Sequence, residues 1–123
     1  MKKALTILST FLATSIISLM CITTPVSAAE LSDAAQKGRD VAFDRKKGNC
    51  LACHVIAHGV RPAGNIGPPL LTMTQRFPNK ADLRAQIWDA TVKNSESLMP
   101  PFGRHEILTE KEIDQVVEFI NTL

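Results

Sequence analysis

Cysteine is scarce in this 123-residue chain, which has three, and tyrosine is absent altogether. No stretch alternates apolar and polar residues over any length, which excludes a core built on half-buried strands. Internal repeats and low-complexity segments are also missing, which excludes stacked-repeat architectures. Nor is there a useful excess of charge. The formal net charge of +2 rests on 14 basic against 12 acidic residues, and Lys2 and Lys3 account for the difference. A pI near 8.5 therefore gives no reason to expect nucleic acid or anionic lipid as a partner.

The first residues read as a secretory leader. Met1-Lys2-Lys3 is a short basic start, an apolar run follows from Ala4 to about Ile22, and Val26-Ser27-Ala28 supplies the small residues of a cleavage site. The run approaches the ~20 residues that span a bilayer, but the hydroxyls of Thr6, Ser9, Thr10, Thr14, Ser15 and Ser18 dilute it. Cys21 follows Met20 instead of the small residue usual before a lipid-modified cysteine. The expected organisation is a cleaved signal peptide over 1–28 and one domain over 29–123, with no stable membrane insertion after cleavage. A domain of that size gains from a metal, disulfide or cofactor that staples its core.

Within the domain the pattern is helical. Ser32 can cap a first helix carrying Ala34, Ala35, Gly38, Val41 and Ala42 on one small-residue stripe and ending at Gly48-Asn49. A glycine inside that helix costs about 1 kcal/mol relative to alanine, which is offset only if another element approaches closely there. Residues 55–79 hold so many glycine and proline breakers that only short regular structure fits, and a loop this long needs something to wrap. Asn79 can start a helix running to about Val92, with Leu83, Ile87, Trp88, Ala90 and Thr91 on its buried side. Thr109-Glu110-Lys111-Glu112 is a capping box before Ile113, Val116, Val117 and Ile120. The fold class expected is all-α.

Two cysteines and a histidine fall in Cys50-Leu51-Ala52-Cys53-His54, within Gly-Asn-Cys-Leu-Ala-Cys-His. C-x-x-C-H is the attachment signature of c-type haem. Two residues between the thiols let both sulfurs meet one porphyrin edge as thioethers, while His54 turns to the iron. The long loop can then lay apolar residues against the macrocycle. A redox dithiol would use C-x-x-C without needing the histidine, but it sits near a βαβ pattern that this chain lacks. Structural zinc needs two further ligands, for which His58 and His105 are the obvious candidates.

A second axial ligand must come from the opposite haem face, which disfavours His58, four residues after His54. Met99, Met73 and His105 are the candidates. Pro100 and Pro101 stiffen the chain after Met99 and put it first, Met73 follows Leu70-Leu71 and suits pocket packing, and His105 suits an exposed position. A His/Met pair raises the reduction potential and leaves no open position on the iron, which suits electron transfer. The other ring nitrogen of His54 needs a partner to hold the imidazole square to the iron. A carbonyl of Gly67-Pro68-Pro69-Leu70, first of all that of Pro68, is expected to supply it. Arg61, Arg76 and Arg104 are candidates for the haem propionates, and Trp88 for core packing near a haem edge.

These residues resemble a class I cytochrome c, which implies N- and C-terminal helices crossing at a small residue, here Gly38 against the 109–123 helix, and a Gly-Pro segment supporting the proximal histidine. The order Gly-Asn-Cys-Leu-Ala-Cys-His, then Gly64-Asn65-Ile66-Gly67-Pro68-Pro69-Leu70, then Leu98-Met99-Pro100-Pro101-Phe102-Gly103 is similar to that of the SoxX family. That resemblance covers about residues 38–123 and implies one covalent haem c and a heterodimer with a SoxA-like cytochrome. It further implies a periplasmic L-cysteine S-thiosulfotransferase that joins thiosulfate oxidatively to a cysteine of the carrier SoxYZ. The catalytic centre would lie on SoxA, and this chain would pass electrons to a small soluble cytochrome.

No catalytic residue is expected in this chain. Once Cys50 and Cys53 are thioethers no cysteine of the domain stays free, and no serine or histidine has an evident activating partner. The alternatives are a free-standing periplasmic electron carrier with the same ligands, or a haem sensor or peroxidase-like protein, which needs an open sixth position.

Overall fold

The computed structural model describes residues 30–56 and 62–123. The expected leader, Cys21, His58 and Arg61 lie outside the described residues. Four α-helices make up the framework, α1 (Asp33–Phe43), α2 (Met73–Arg76), α3 (Lys80–Trp88) and α4 (Glu110–Ile120), with single 3-10 turns at Cys50–Ala52 and Ala90–Val92. Among the described residues there is no strand, only an isolated parallel bridge between Ile56 and Leu70. The all-α expectation holds.

The Ser32 side chain caps α1 by accepting the Ala35 amide at 3.2 Å. The helix ends at Phe43, earlier than the expected Gly48-Asn49, because Asp44 takes over the local hydrogen bonding. Its carboxylate accepts the Lys46 amide at 2.8 Å, and its carbonyl accepts those of Lys47 and Asn49. Self-bonding of this kind is how a short acid competes with the helix.

α1 crosses α4 at Gly38. A Cβ on that residue would lie 1.8 Å from the Gln115 carbonyl oxygen and 2.8 Å from the Val116 nitrogen, both backbone atoms of α4. The glycine is therefore required by the crossing. Ala35 and Ala42, fully buried on the same face of α1, join Ile113, Val116 and Ile120 of α4 in the core. Phe43 meets Phe119 edge to face at 5.7 Å.

α3 ends at Trp88, four residues short of the sequence expectation. Asp89 is extended (φ −157°, ψ 95°) and its carboxylate caps the following turn by accepting the Thr91 amide. Leu83, Ile87 and Ala90 are buried as expected, whereas Trp88 and Thr91 are only partly so. Arg84 pairs with Asp114 at 2.7 Å and Glu110 at 3.1 Å, and Lys80 with Glu118 at 2.7 Å, tying α3 to α4. Such exposed pairs contribute about 0–1 kcal/mol each, so the buried face decides this packing.

The capping box of α4 is present: Glu112 N–H donates to Thr109 Oγ1 at 3.3 Å, and Thr109 N–H to Glu112 Oε2 at 3.0 Å. Lys47 also donates to Glu112. Lys47 first, then the Thr109 donors, hold the Glu112 carboxyl below its ordinary value. A depressed folded-state pKa contributes stability above the unfolded value near ~4.3 that is lost as pH falls through the folded value. The Glu112→Gln variant is therefore expected to lose less thermal stability than the native protein between about pH 5 and pH 3. Equal losses in the two proteins would remove this contribution.

Candidate functional site

Asn49 begins the site by adopting left-handed backbone angles (φ 45°, ψ 36°) at the start of the 3-10 turn. The Cys50 carbonyl then accepts the amides of Cys53 at 3.2 Å and His54 at 2.9 Å. One tight turn thus carries both thiols and the imidazole. Loop 62–70 is laced to this turn by three amides: Gly64 to the Leu51 carbonyl, Gly67 to that of Cys53 and Leu70 to that of Val55, each at 2.8 Å.

The lacing sets the histidine. Nδ1 of His54 lies 2.7 Å from the Pro68 carbonyl oxygen. A carbonyl can only accept, so Nδ1 carries the hydrogen and the Nε2 lone pair is directed away, as a metal-ligating imidazole requires. Gly67 passes directly beneath the ring, where a Cβ would lie 2.4 Å from Cε1. Only a glycine lets the loop approach the imidazole this closely.

Cys50, Cys53, His54 and Met99 all line one cavity of about 830 Å³, within the range of ligand and cofactor pockets. Leu70, Met73, Phe77, Leu83, Ile87 and Phe102 form much of its apolar wall. Met99 is half-buried, and its amide donates to Ser97 Oγ at 3.3 Å. Met73 also lines the cavity, but its sulfur lies 3.4 Å from Nη1 of Arg76 and the residue is 1% exposed within the core. Its place is in the wall. His105 is exposed and borders no part of the cavity.

Of the three arginines considered from sequence, Arg76 borders the cavity and donates to the Pro69 carbonyl at 2.7 Å. Arg104 instead pairs with Asp89 at 2.8 Å. Arg45 and Lys46 also reach the rim; the basic run before the cysteine motif was their only signal. Trp88 does not border the cavity. Its ring lies under the Arg84 guanidinium at 5.3 Å and against Gly103, where a Cβ would lie 2.1 Å from Cδ2.

The chemistry of the thiols disfavours a redox dithiol. Burial pushes the unreacted Cys50 thiol up to about 11, so it stays protonated at neutral pH, whereas a redox cysteine needs a depressed pKa. Among the described residues no group of three or more His, Cys, Asp or Glu side chains could hold a metal ion, so zinc finds no donor set there.

A protein family described as cytochrome c oxidase, cbb3-type, subunit III, matches residues 27–120. The chain belongs to this family of class I c-type cytochromes. An uncharacterized lipoprotein of Aquifex aeolicus (strain VF5) is 33% identical to the cytochrome over 76 residues. That match covers 62% of the cytochrome and 37% of the lipoprotein, so the chain spans little more than a third of its relative's length. Membership implies haem c and electron transfer. Among the described residues, no helix of the cytochrome is long and apolar enough to cross a membrane.

Proposed function

We propose that the chain is the monohaem electron-transfer subunit of a SoxAX-like L-cysteine S-thiosulfotransferase. The observation that carries this reading is the convergence of the three SoxX-like segments on one cavity: the cysteine motif, the Gly-Pro-Pro loop and the Met-Pro-Pro-Phe-Gly loop all contribute to its lining.

In this reading Cys50 and Cys53 hold one haem c as thioethers, and His54 and Met99 are the axial ligands. The fit is supported by the apolar wall, the glycine cradle under His54 and the thiol, imidazole and thioether donors around one space. When bound, haem c supplies a one-electron couple. The Pro68 carbonyl orients His54, and the apolar wall excludes water, which together with the thioether of Met99 favours the reduced state. Oxidative joining of thiosulfate to a carrier cysteine releases two electrons, which the single one-electron couple of this chain would take and pass on one at a time, the partner's centre holding the second meanwhile. No residue here is assigned to the sulfur chemistry, which belongs to a SoxA-like partner.

Ile66, Leu98 and Ile107, 65%, 80% and 41% exposed, border the cavity and suit a partner seated on that rim. The leader over 1–28 and delivery of residues 29–123 to the periplasm belong to the same proposal, as do transient contacts with a SoxYZ-like carrier and a small soluble cytochrome. The test is affinity purification of the mature tagged protein from periplasm, followed by native mass. A stoichiometric haem-bearing partner is the expected result. A monomer with one haem would replace the proposal with a diffusible electron carrier.

A further inference from the structure

Met99 sits on the segment between the end of α3 and the start of α4, and residues 89–104 of that segment are pinched shut at their base. The Trp88 carbonyl accepts the amides of Gly103 at 3.1 Å and Arg104 at 3.4 Å. Beside it, one oxygen of the Asp89 carboxylate accepts the Thr91 amide at 3.0 Å and hydroxyl at 2.5 Å, and the other faces Nη1 of Arg104 at 2.8 Å. Asp89 is 5% exposed, the one buried charged residue among those described. The Trp88 ring lies flat against Gly103, where any side chain would collide with it.

Beyond this base the outgoing half of the segment is held by local backbone hydrogen bonds, joining Asp89 with Val92, Ala90 with Lys93 and Asn94, and Asn94 with Ser97. On the returning half the Pro101 carbonyl accepts the His105 amide at 3.0 Å and the Phe102 carbonyl that of Leu108 at 3.1 Å, and Phe102 is buried in the core. Val92 and Leu98 are 82% and 80% exposed. Met99 has only Pro100, Pro101 and Phe102 between it and Gly103. The stiff prolines transmit the position of the base to the thioether with little slack.

We infer that Asp89, with Arg104, is a positioning device that holds Met99 on the haem iron by closing the base of residues 89–104. The inference rests on Met99 being the axial ligand. A carboxylate at the end of α3 serves this purpose because it spans both sides of the base: it caps the outgoing turn through Thr91 and grips the returning strand of chain through Arg104. The Arg104 side chain is 53% exposed, so its ion pair contributes modestly; the two Thr91 hydrogen bonds to the buried Asp89 carboxylate and the two amides on the Trp88 carbonyl favour the closed base over an open one. With haem bound, Met99 held in this way would keep external ligands off the iron and the potential high.

The experiment measures, on oxidised haem-loaded protein, the far-red charge-transfer absorption that depends on thioether ligation, the affinity for added imidazole, and the midpoint potential. Asp89→Asn is expected to raise imidazole affinity about tenfold, since a hydrogen bond to a charged group is typically worth that much, and Arg104→Gln, which removes a half-exposed partner, by about two- to fivefold. Both should weaken the thioether band and lower the potential. Arg104→Lys, which keeps the cation, is expected to restore much of each signal. Ile113→Val, buried in the α1/α4 core and outside the cavity lining, serves as the control that destabilises the protein without touching the base or the haem pocket.

Imidazole affinity in Asp89→Asn within twofold of native, or raised equally by Ile113→Val, would overturn the positioning role while leaving Met99 as ligand. Met99→Ala separates the two claims. It should abolish the thioether band and bind imidazole most tightly of all. An unchanged spectrum in that variant would remove the ligand assignment, and the positioning role with it.

Discussion

A chain in which Cys50 and Cys53 are both serine is expected to give up all of its haem to acidified organic solvent and, once emptied of haem, to lose cooperative thermal unfolding. Covalent attachment predicts the first result, since no thioether can form, while either single variant retains one bond and should resist extraction. The second follows from the size of the space the residues enclose. The cavity is about 830 Å³, open at its rim and walled largely by apolar side chains, and each Å² of apolar surface left in water forgoes about 25 cal/mol of burial. Leu70, Met73, Leu83, Ile87 and Phe102 line this space, so without the bound group they must face water or collapse on one another. Haem that resists extraction from the double variant would remove the thioether assignment.

Substitution at Gly38 is expected to produce the largest loss of stability from any single change distant from the site. The obstruction is backbone: the Gln115 carbonyl oxygen at 1.8 Å and its carbon at 2.3 Å from the added Cβ. Neither can rotate away as a side-chain tip could. α1 and α4 must separate, loosening contacts made by Ala35, Ala42, Ile113 and Val116, each no more than 2% exposed. Alanine would gain about 1 kcal/mol from helix propensity, but overpacking against backbone costs more, typically 1–3 kcal/mol or above. Gly38→Ala is therefore expected to lower the melting temperature of the haem-loaded protein, and Gly38→Val to lower it by more than about 10 °C. If Gly38→Ala melted at or above the native temperature, the close crossing would be wrong.

The legible parts of this protein were those in which chemistry or capping is local. Thr109 and Glu112 meet because a helix start brings them together, so the capping box and the buried positions of α4 could be read directly. Cys50, Cys53 and His54 share one turn for the same reason. Pro68 could be nominated because the histidine needed an acceptor and the glycine-proline segment offered a carbonyl. The end of α3 was less legible. Helical spacing continues through Ala90 and Thr91, but the Asp89 carboxylate captures Thr91 and opens the helix, a local capping bond that competes with the helix and that periodicity alone does not register.

By itself the sequence determined an all-α fold class, a C-x-x-C-H turn and a methionine followed by two prolines, because each depends on residues close together along the chain. Tertiary structure decided what depends on distant segments meeting. It showed that Gly38 is imposed by the α4 backbone, that Gly67 must be bare to pass beneath His54, and that Met73 belongs to the wall while Met99 faces the site from a separate loop. It also took Trp88 away from the cavity and placed it against Gly103. Spacing specifies which side chains share a turn or a face; only packing specifies how near another backbone comes to that face.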